Sequence, residues 1–331
     1  MNHSTQNEAQ TTTTSRFTTL ALTSLVSTIF LIMLGSFVRV TGYGLGCPDW
    51  PLCYGRAVPP IEIAAWVEFG HRLFGGVVSI QIAFLTWLAF KNHRADKWLW
   101  RPAFITAILL IIQVALGGLH VLNELPRWTG LVHTGVATAI VGFLALLVAV
   151  SQPKLMALSK RLDQSYDIPK MRTWTTICAV FAYLLILSGS LVTRSIASLV
   201  CPSFPLCGID NVPDSLRNLV TIQMAHRIIA LTVIVAVSYV LIRIRQAERN
   251  EKILANISYS LVILFVIQVG LGISNIWLSL PLWSRILHLG VATSIWAVLV
   301  ILAIIFQQPQ IKAKDVSSSE FSYTQGGEAV S

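Results

Sequence analysis

The chain has 331 residues, of which 54% are hydrophobic and 12% are charged, and its mean hydropathy is +0.69. Soluble domains carry roughly 25% charged residues, so the charge needed to cover a water-facing surface is missing; this excludes a soluble globular enzyme, a disordered regulator and a conventional nucleic-acid binder. The net charge of +9 reads instead as basic loops beside a membrane.

In chain order, runs of about 18 or more apolar residues predict eight transmembrane helices, at 17–40, 63–90, 102–122, 128–150, 173–195, 217–242, 253–277 and 282–306. Residues 1–16 form a polar tail without the basic n-region of a cleaved signal peptide, so the first apolar run is a retained span. Residues 151–172 are a basic linker, and the Ser- and Gly-rich 307–331 a disordered tail. Placing the N-terminus, the loops 91–101, 151–172 and 243–252 and the C-terminal tail in the cytoplasm assigns 16 of the 24 basic residues to that side. By the positive-inside rule both termini are cytoplasmic.

The chain repeats itself. Cys47-Pro-Asp-Trp-Pro-Leu-Cys53 matches Cys201-Pro-Ser-Phe-Pro-Leu-Cys207 at an offset of 154, and Gln113-Val-Ala-Leu-Gly117 matches Gln268-Val-Gly-Leu-Gly272 at 155. His71-Arg72 recurs as His226-Arg227, and His133-Thr-Gly-Val-Ala-Thr138 as His288-Leu-Gly-Val-Ala-Thr293, both at 155. The expected fold is therefore all-α: eight transmembrane helices as two tandem pseudo-symmetric four-helix bundles, 17–150 and 173–306. An even number of spans per unit keeps the repeats parallel.

Four of the seven histidines, His71, His133, His226 and His288, fall inside the second, fourth, sixth and eighth predicted spans. Each lies five to nine residues from the outer end, roughly 8–13 Å deep at about 1.5 Å per residue. A single membrane histidine is explained by a hydrogen bond to a neighbouring helix. A duplicated pair at matched depth points to axial ligation of heme iron, one heme per bundle. Zinc or copper would need further donors at that depth. The glycines near these positions suit either close helix packing or a flat macrocycle. Arg39, Arg72, Arg194 and Arg227 stand near the outer ends of spans, where they either pair with heme propionates or snorkel to headgroups.

Glu68 precedes His71 by one helical turn, whereas the position 155 residues later is Gln223. An acid inside a span is a functional-site hypothesis by default. It could move protons or steady a developing cation beside the iron; the plainer reading is an ion pair with a nearby arginine. Cys47 with Cys53 and Cys201 with Cys207 lie in outer loops, where short disulfides are expected. They are either structural staples or an electron relay, with zinc half-sites a third reading. Cys178 reads as a small core residue.

Glu-Phe-Gly-His-Arg at 68–72, the two Cys-Pro-x-x-Pro-Leu-Cys loops, the four histidines and the eight spans resemble the heme A synthase family, of its cysteine-pair-containing type, from about residue 17 to 306. The resemblance implies an oxidoreductase that converts heme O to heme A by two successive oxidations of the ring C8 methyl to a formyl group, for cytochrome oxidase. It implies that His71 and His133 hold the substrate heme, that Glu68 is essential to the chemistry, and that His226 and His288 hold a heme b cofactor. It gives Cys47 and Cys53 a part in electron transfer. The implied setting is the cell membrane, with the cysteine loops extracytoplasmic. Implied partners are lipid, a heme O synthase (protoheme farnesyltransferase), oxidase assembly factors, an electron partner and a second copy of the chain, but no nucleic acid. The runner-up is a bis-His b-type cytochrome relaying electrons from quinol without converting heme; a disulfide-handling redox protein stands third.

Overall fold

The computed structural model describes residues 3–162, 167–208, 212–247 and 251–325, and those described residues are helical with no strand. The helices are α1 (His3–Val40), α2 (Ile63–Asn92), α3 (Lys97–Leu122), α4 (Arg127–Ser151), α5 (Pro153–Leu162), α6 (Ile168–Arg194), α7 (Asp214–Ala247), α8 (Lys252–Trp277) and α9 (Leu282–Gln325). Eight are long and apolar enough to cross a membrane, and they coincide with the eight predicted spans.

Local chemistry sets several boundaries. Asp96 caps α3 by accepting from the Trp98 amide at 2.9 Å, and Asp167 caps α6 by accepting from Lys170 at 3.2 Å. Between α3 and α4 the chain turns through Glu124 and Leu125 at positive φ, and between α8 and α9 through Ser279 and Leu280. In these turns the Leu125 amide donates to the His120 carbonyl and the Leu280 amide to that of Asn275, at 2.8 and 2.9 Å. Within the spans, the hydroxyls of Thr28, Thr138, Thr175 and Thr293 donate to the carbonyl four residues back. They therefore need no water in hydrocarbon.

α1 packs on α2 and α4, and α3 on α4; α6 packs on α7 and α9, and α8 on α9. The two sets meet through α1, α4, α6 and α9. There the Trp296 indole donates to the Thr138 carbonyl at 3.0 Å and the Tyr183 hydroxyl to that of Gly135 at 3.1 Å. α4 and α9 are consequently the most enclosed spans, and α3 and α8 the most peripheral. α7 and α8 make few contacts with each other.

The linker differs from expectation. Residues 153–162 form α5, whose Leu158 and Leu162, one turn apart, bury against the core that includes Cys178, Ile244 and Phe306. Residues 163–166 of the linker lie outside the described residues, and its last residues, from Ile168, open α6. Helix also replaces the expected tails: α1 starts at His3 and α9 continues to Gln325, with 326–331 outside the described residues. Cys178 is fully buried, as a core residue should be.

Candidate heme sites

Each cysteine loop closes on itself: Cys47 is bonded to Cys53 and Cys201 to Cys207. An arginine from the following helix pegs each one. Arg72 donates to the carbonyls of Asp49, Leu52 and Cys47, each at 2.9 Å. Arg227 donates to those of Ser203, Pro205, Leu206 and Cys201 at 2.7–3.2 Å. A guanidinium offers five N–H donors in a fixed fork, so these two arginines, considered above for propionates, spend most of theirs on loop backbone.

The first loop is stiffened further. Asp49 accepts from the Tyr54 and Gly55 amides at 2.6 and 2.7 Å, and these bonds hold its carboxyl below the ordinary 3.8. The Trp50 ring lies over Gly118 of α3, where a Cβ would come within 2.9 Å of it. Glu68 joins loop to helix: one oxygen accepts from the Cys47 amide at 2.9 Å, and the other pairs with Arg72. The arginine pairing weighed from the sequence is thus realised, with the acid only 4% exposed. Gln223 is equally buried, but its Oε1 has no partner.

Each span histidine rests on a glycine of the neighbouring helix. A Cβ on Gly35, Gly117, Gly189 or Gly272 would stand 3.0, 3.4, 3.1 or 3.3 Å from Cε1 of His71, His133, His226 or His288 respectively. His71 of α2 and His133 of α4 belong to one half, and His226 of α7 and His288 of α9 line one cavity in the other. Gln113 Nε2 is 3.0 Å from His133 Nε2, Gln268 Nε2 is 3.3 Å from His288 Nε2, and Ser188 Oγ is 2.8 Å from His226 Nδ1. Nδ1 of His71, His133 and His288 is buried with no hydrogen-bond partner. Leaving such an atom unmet costs about 1–3 kcal/mol. Paired imidazoles, three of them with an unmet nitrogen and each set against a helix that lacks a side chain there, fit a flat group bound through its metal.

In the C-terminal half a cavity of about 440 Å³ opens at His226 and His288. Gln223, Gln268, Gly189 and Gly272 line it, with Arg39, Arg227, Arg285 and Phe204 also at its walls. Its α7 wall includes Ile228 and Leu231, both largely exposed.

Three residues, His120, Gln113 and Gln268, were given no role from the sequence. His120 stacks on His133 with ring centroids 6.4 Å apart, and its Nδ1 meets Thr129 Oγ1 at 2.6 Å. The residue 155 positions later is Asn275, so the N-terminal half carries an ionisable side chain where its counterpart carries an amide, as at Glu68 and Gln223. Gln113 and Gln268 stood in the repeated motif, and their invariance between halves was the available signal.

A family model described as cytochrome oxidase assembly protein, COX15-CtaA, matches residues 18–68 and 62–300. The heme A synthase of Bacillus cereus is 28% identical over 316 residues, covering 91% of this chain and 96% of the relative. The heme A synthases of Bacillus anthracis and Bacillus thuringiensis subsp. konkukian match to the same extent.

Proposed function

Since the chain belongs to the COX15-CtaA family of cytochrome oxidase assembly proteins, we propose that it works as a heme A synthase, oxidising the C8 methyl of heme O in two steps to the formyl of heme A. The observation that carries this is an asymmetry: two half-buried histidine pairs, of which only one has a buried carboxylate a turn away. His71 and His133 hold heme O as the substrate. His226 and His288 hold heme b, which when bound supplies a one-electron centre. Gly35, Gly117, Gly189 and Gly272 leave room for the imidazoles to turn their nitrogens into the bundle.

Oxidising a methyl carbon releases protons, and an apolar span has few places for them. Glu68 receives a proton at a carboxylate oxygen or steadies positive charge as it develops. Its second task is to tie α2 to the first cysteine loop. That contact puts the Cys47–Cys53 bond next to the acid, which supports a part for the pair in moving electrons. A relay cytochrome would need neither an acid in one half nor an amide in the other. The basic-residue count supports cytoplasmic termini in the cell membrane; a heme A synthase there would work with lipid, a heme O synthase, oxidase assembly factors and an electron partner.

The test is expression in a host that makes heme O but no heme A, followed by heme extraction and chromatography. Heme A or its hydroxylated precursor should appear. Bound heme with neither product would replace the enzyme by the relay.

A further inference from the structure

Arg39 and Arg194 occupy equivalent positions, 155 residues apart, at the outer ends of α1 and α6. Neither serves its own half. Arg39 lines the cavity of His226 and His288, together with Arg285 of α9. The Arg194 guanidinium crosses to α4 and fills the space that a Cβ on Gly130 would take. There it stands against α4 one helical turn before His133. The repeat explains the fit: the position equivalent to Gly130 is Arg285. In one half a glycine makes room for the incoming arginine; in the other a second arginine meets it.

Arg39 and Arg285 line one cavity, and Arg194 is the other cation whose charge reaches Arg39. Among the described residues the ion pairs join Arg72 to Glu68 and Arg217 to Asp214, and none reaches these three. Their closest polar contacts are weak: Arg39 to Ser36 Oγ and Arg194 to Ser190 Oγ, both at 3.4 Å. Like charges gathered at the seam of two membrane bundles repel, and the arrangement is stable when anions sit between them. Arg72 and Arg227 have their donors largely committed to loop carbonyls, so the crossing arginines are the ones with donors to spare.

We propose that the two halves exchange their carboxylate-binding arginines: Arg194 binds the propionates of the heme held by His71 and His133, and Arg39 with Arg285 binds those of the heme held by His226 and His288. This rests on the heme reading above. Each heme is then completed by the opposite bundle, and loading of one site alters the charge felt at the other.

The test uses the full chain with one histidine pair removed, so that one site reports alone. Its probes are heme b and heme b dimethyl ester, which lacks the two carboxylates. With His226→Ala and His288→Ala in place, the remaining site should prefer heme b over the ester by about tenfold or more. Arg194→Gln should erase that preference, Arg194→Lys should keep most of it, and Arg39→Gln should leave it. With His71→Ala and His133→Ala in place, the roles of Arg39 and Arg194 should reverse. Gly130→Ala, which displaces the guanidinium without removing it, should act like Arg194→Gln. The exchange is overturned if each arginine acts within its own half or if neither changes the preference. It is also overturned if Arg194→Gln sheds anionic phospholipid while the heme-to-ester ratio holds, because the arginines then bind headgroups. Failure of either single-site chain to bind heme b would remove the heme reading itself, a result distinct from an unchanged preference.

Discussion

Replacing Glu68 by Gln separates the chemistry of the acid from its structural task. The carboxylate accepts two hydrogen bonds, from the Cys47 amide and from Arg72. An amide has one oxygen, so one of those donors will face an NH2 group and go unmet, at about 1–3 kcal/mol. Breaking a buried ion pair costs about 3–5 kcal/mol when the partner is stranded. Arg72 is not stranded, because three loop carbonyls still hold it. The expected loss of stability is therefore about 2 kcal/mol, and the size of the side chain is no obstacle, since Gln already occupies the buried equivalent position 223. Removing a general base or charge partner costs about 10²–10⁴ in rate. In a host that makes heme O, the variant should retain bound heme and yield less than about a hundredth of the wild-type heme A, read by chromatography of extracted heme. Heme A above about a tenth of wild type would refute the argument and leave Glu68 as a peg for the loop. Loss of all heme would show that its structural task had been underestimated.

Gly35→Ala should disturb bound heme more than Gly117→Ala, because the added methyl meets the histidine ring at 3.0 Å in the first case and 3.4 Å in the second; the low-spin signals in electron paramagnetic resonance decide. Trp296→Phe removes the indole bond to the Thr138 carbonyl and should lower thermal stability by about 1 kcal/mol without altering the heme spectrum; a shifted spectrum would show that the seam between halves also shapes the sites. The carboxyl of Asp49 is held below its ordinary 3.8 by the Gly55 and Tyr54 amides. Its support for the loop is thus present above that value and lost as pH falls through the lowered one. Exchange of those two amides should quicken in acid, whereas Asp49→Asn should show no such acid-dependent step; the same step in the variant would sink the assignment.

Much of this was legible in the residues. The spans were, because hydrocarbon demands long apolar runs and the loops between them are polar. The histidine pairs were, because duplication turned four isolated residues into a pattern. α5 was not: ten residues with three basic ones carry no span signal, and only tertiary packing reveals that Leu158 and Leu162 are buried. The commitment of Arg72 and Arg227 to loop carbonyls was hidden as well, since those acceptors lie some twenty residues away on irregular backbone. So was the crossing of Arg39 and Arg194. Helical periodicity gives the side of a helix on which a residue stands, but not which of several neighbouring helices a long terminal side chain will reach. The contrast of His120 with Asn275 was available at the repeat offset and needed only the neighbouring His133 ring to give it meaning.

The sparse contact between α7 and α8 bears on how the molecule is made. A cavity walled in part by the exposed Ile228 and Leu231 of α7 would be open to filling sideways, from within the bilayer, after insertion and folding are complete. Under the proposed function, biogenesis would then fall into two stages: a chain threaded and folded first, and a prosthetic group that arrives later by lateral diffusion.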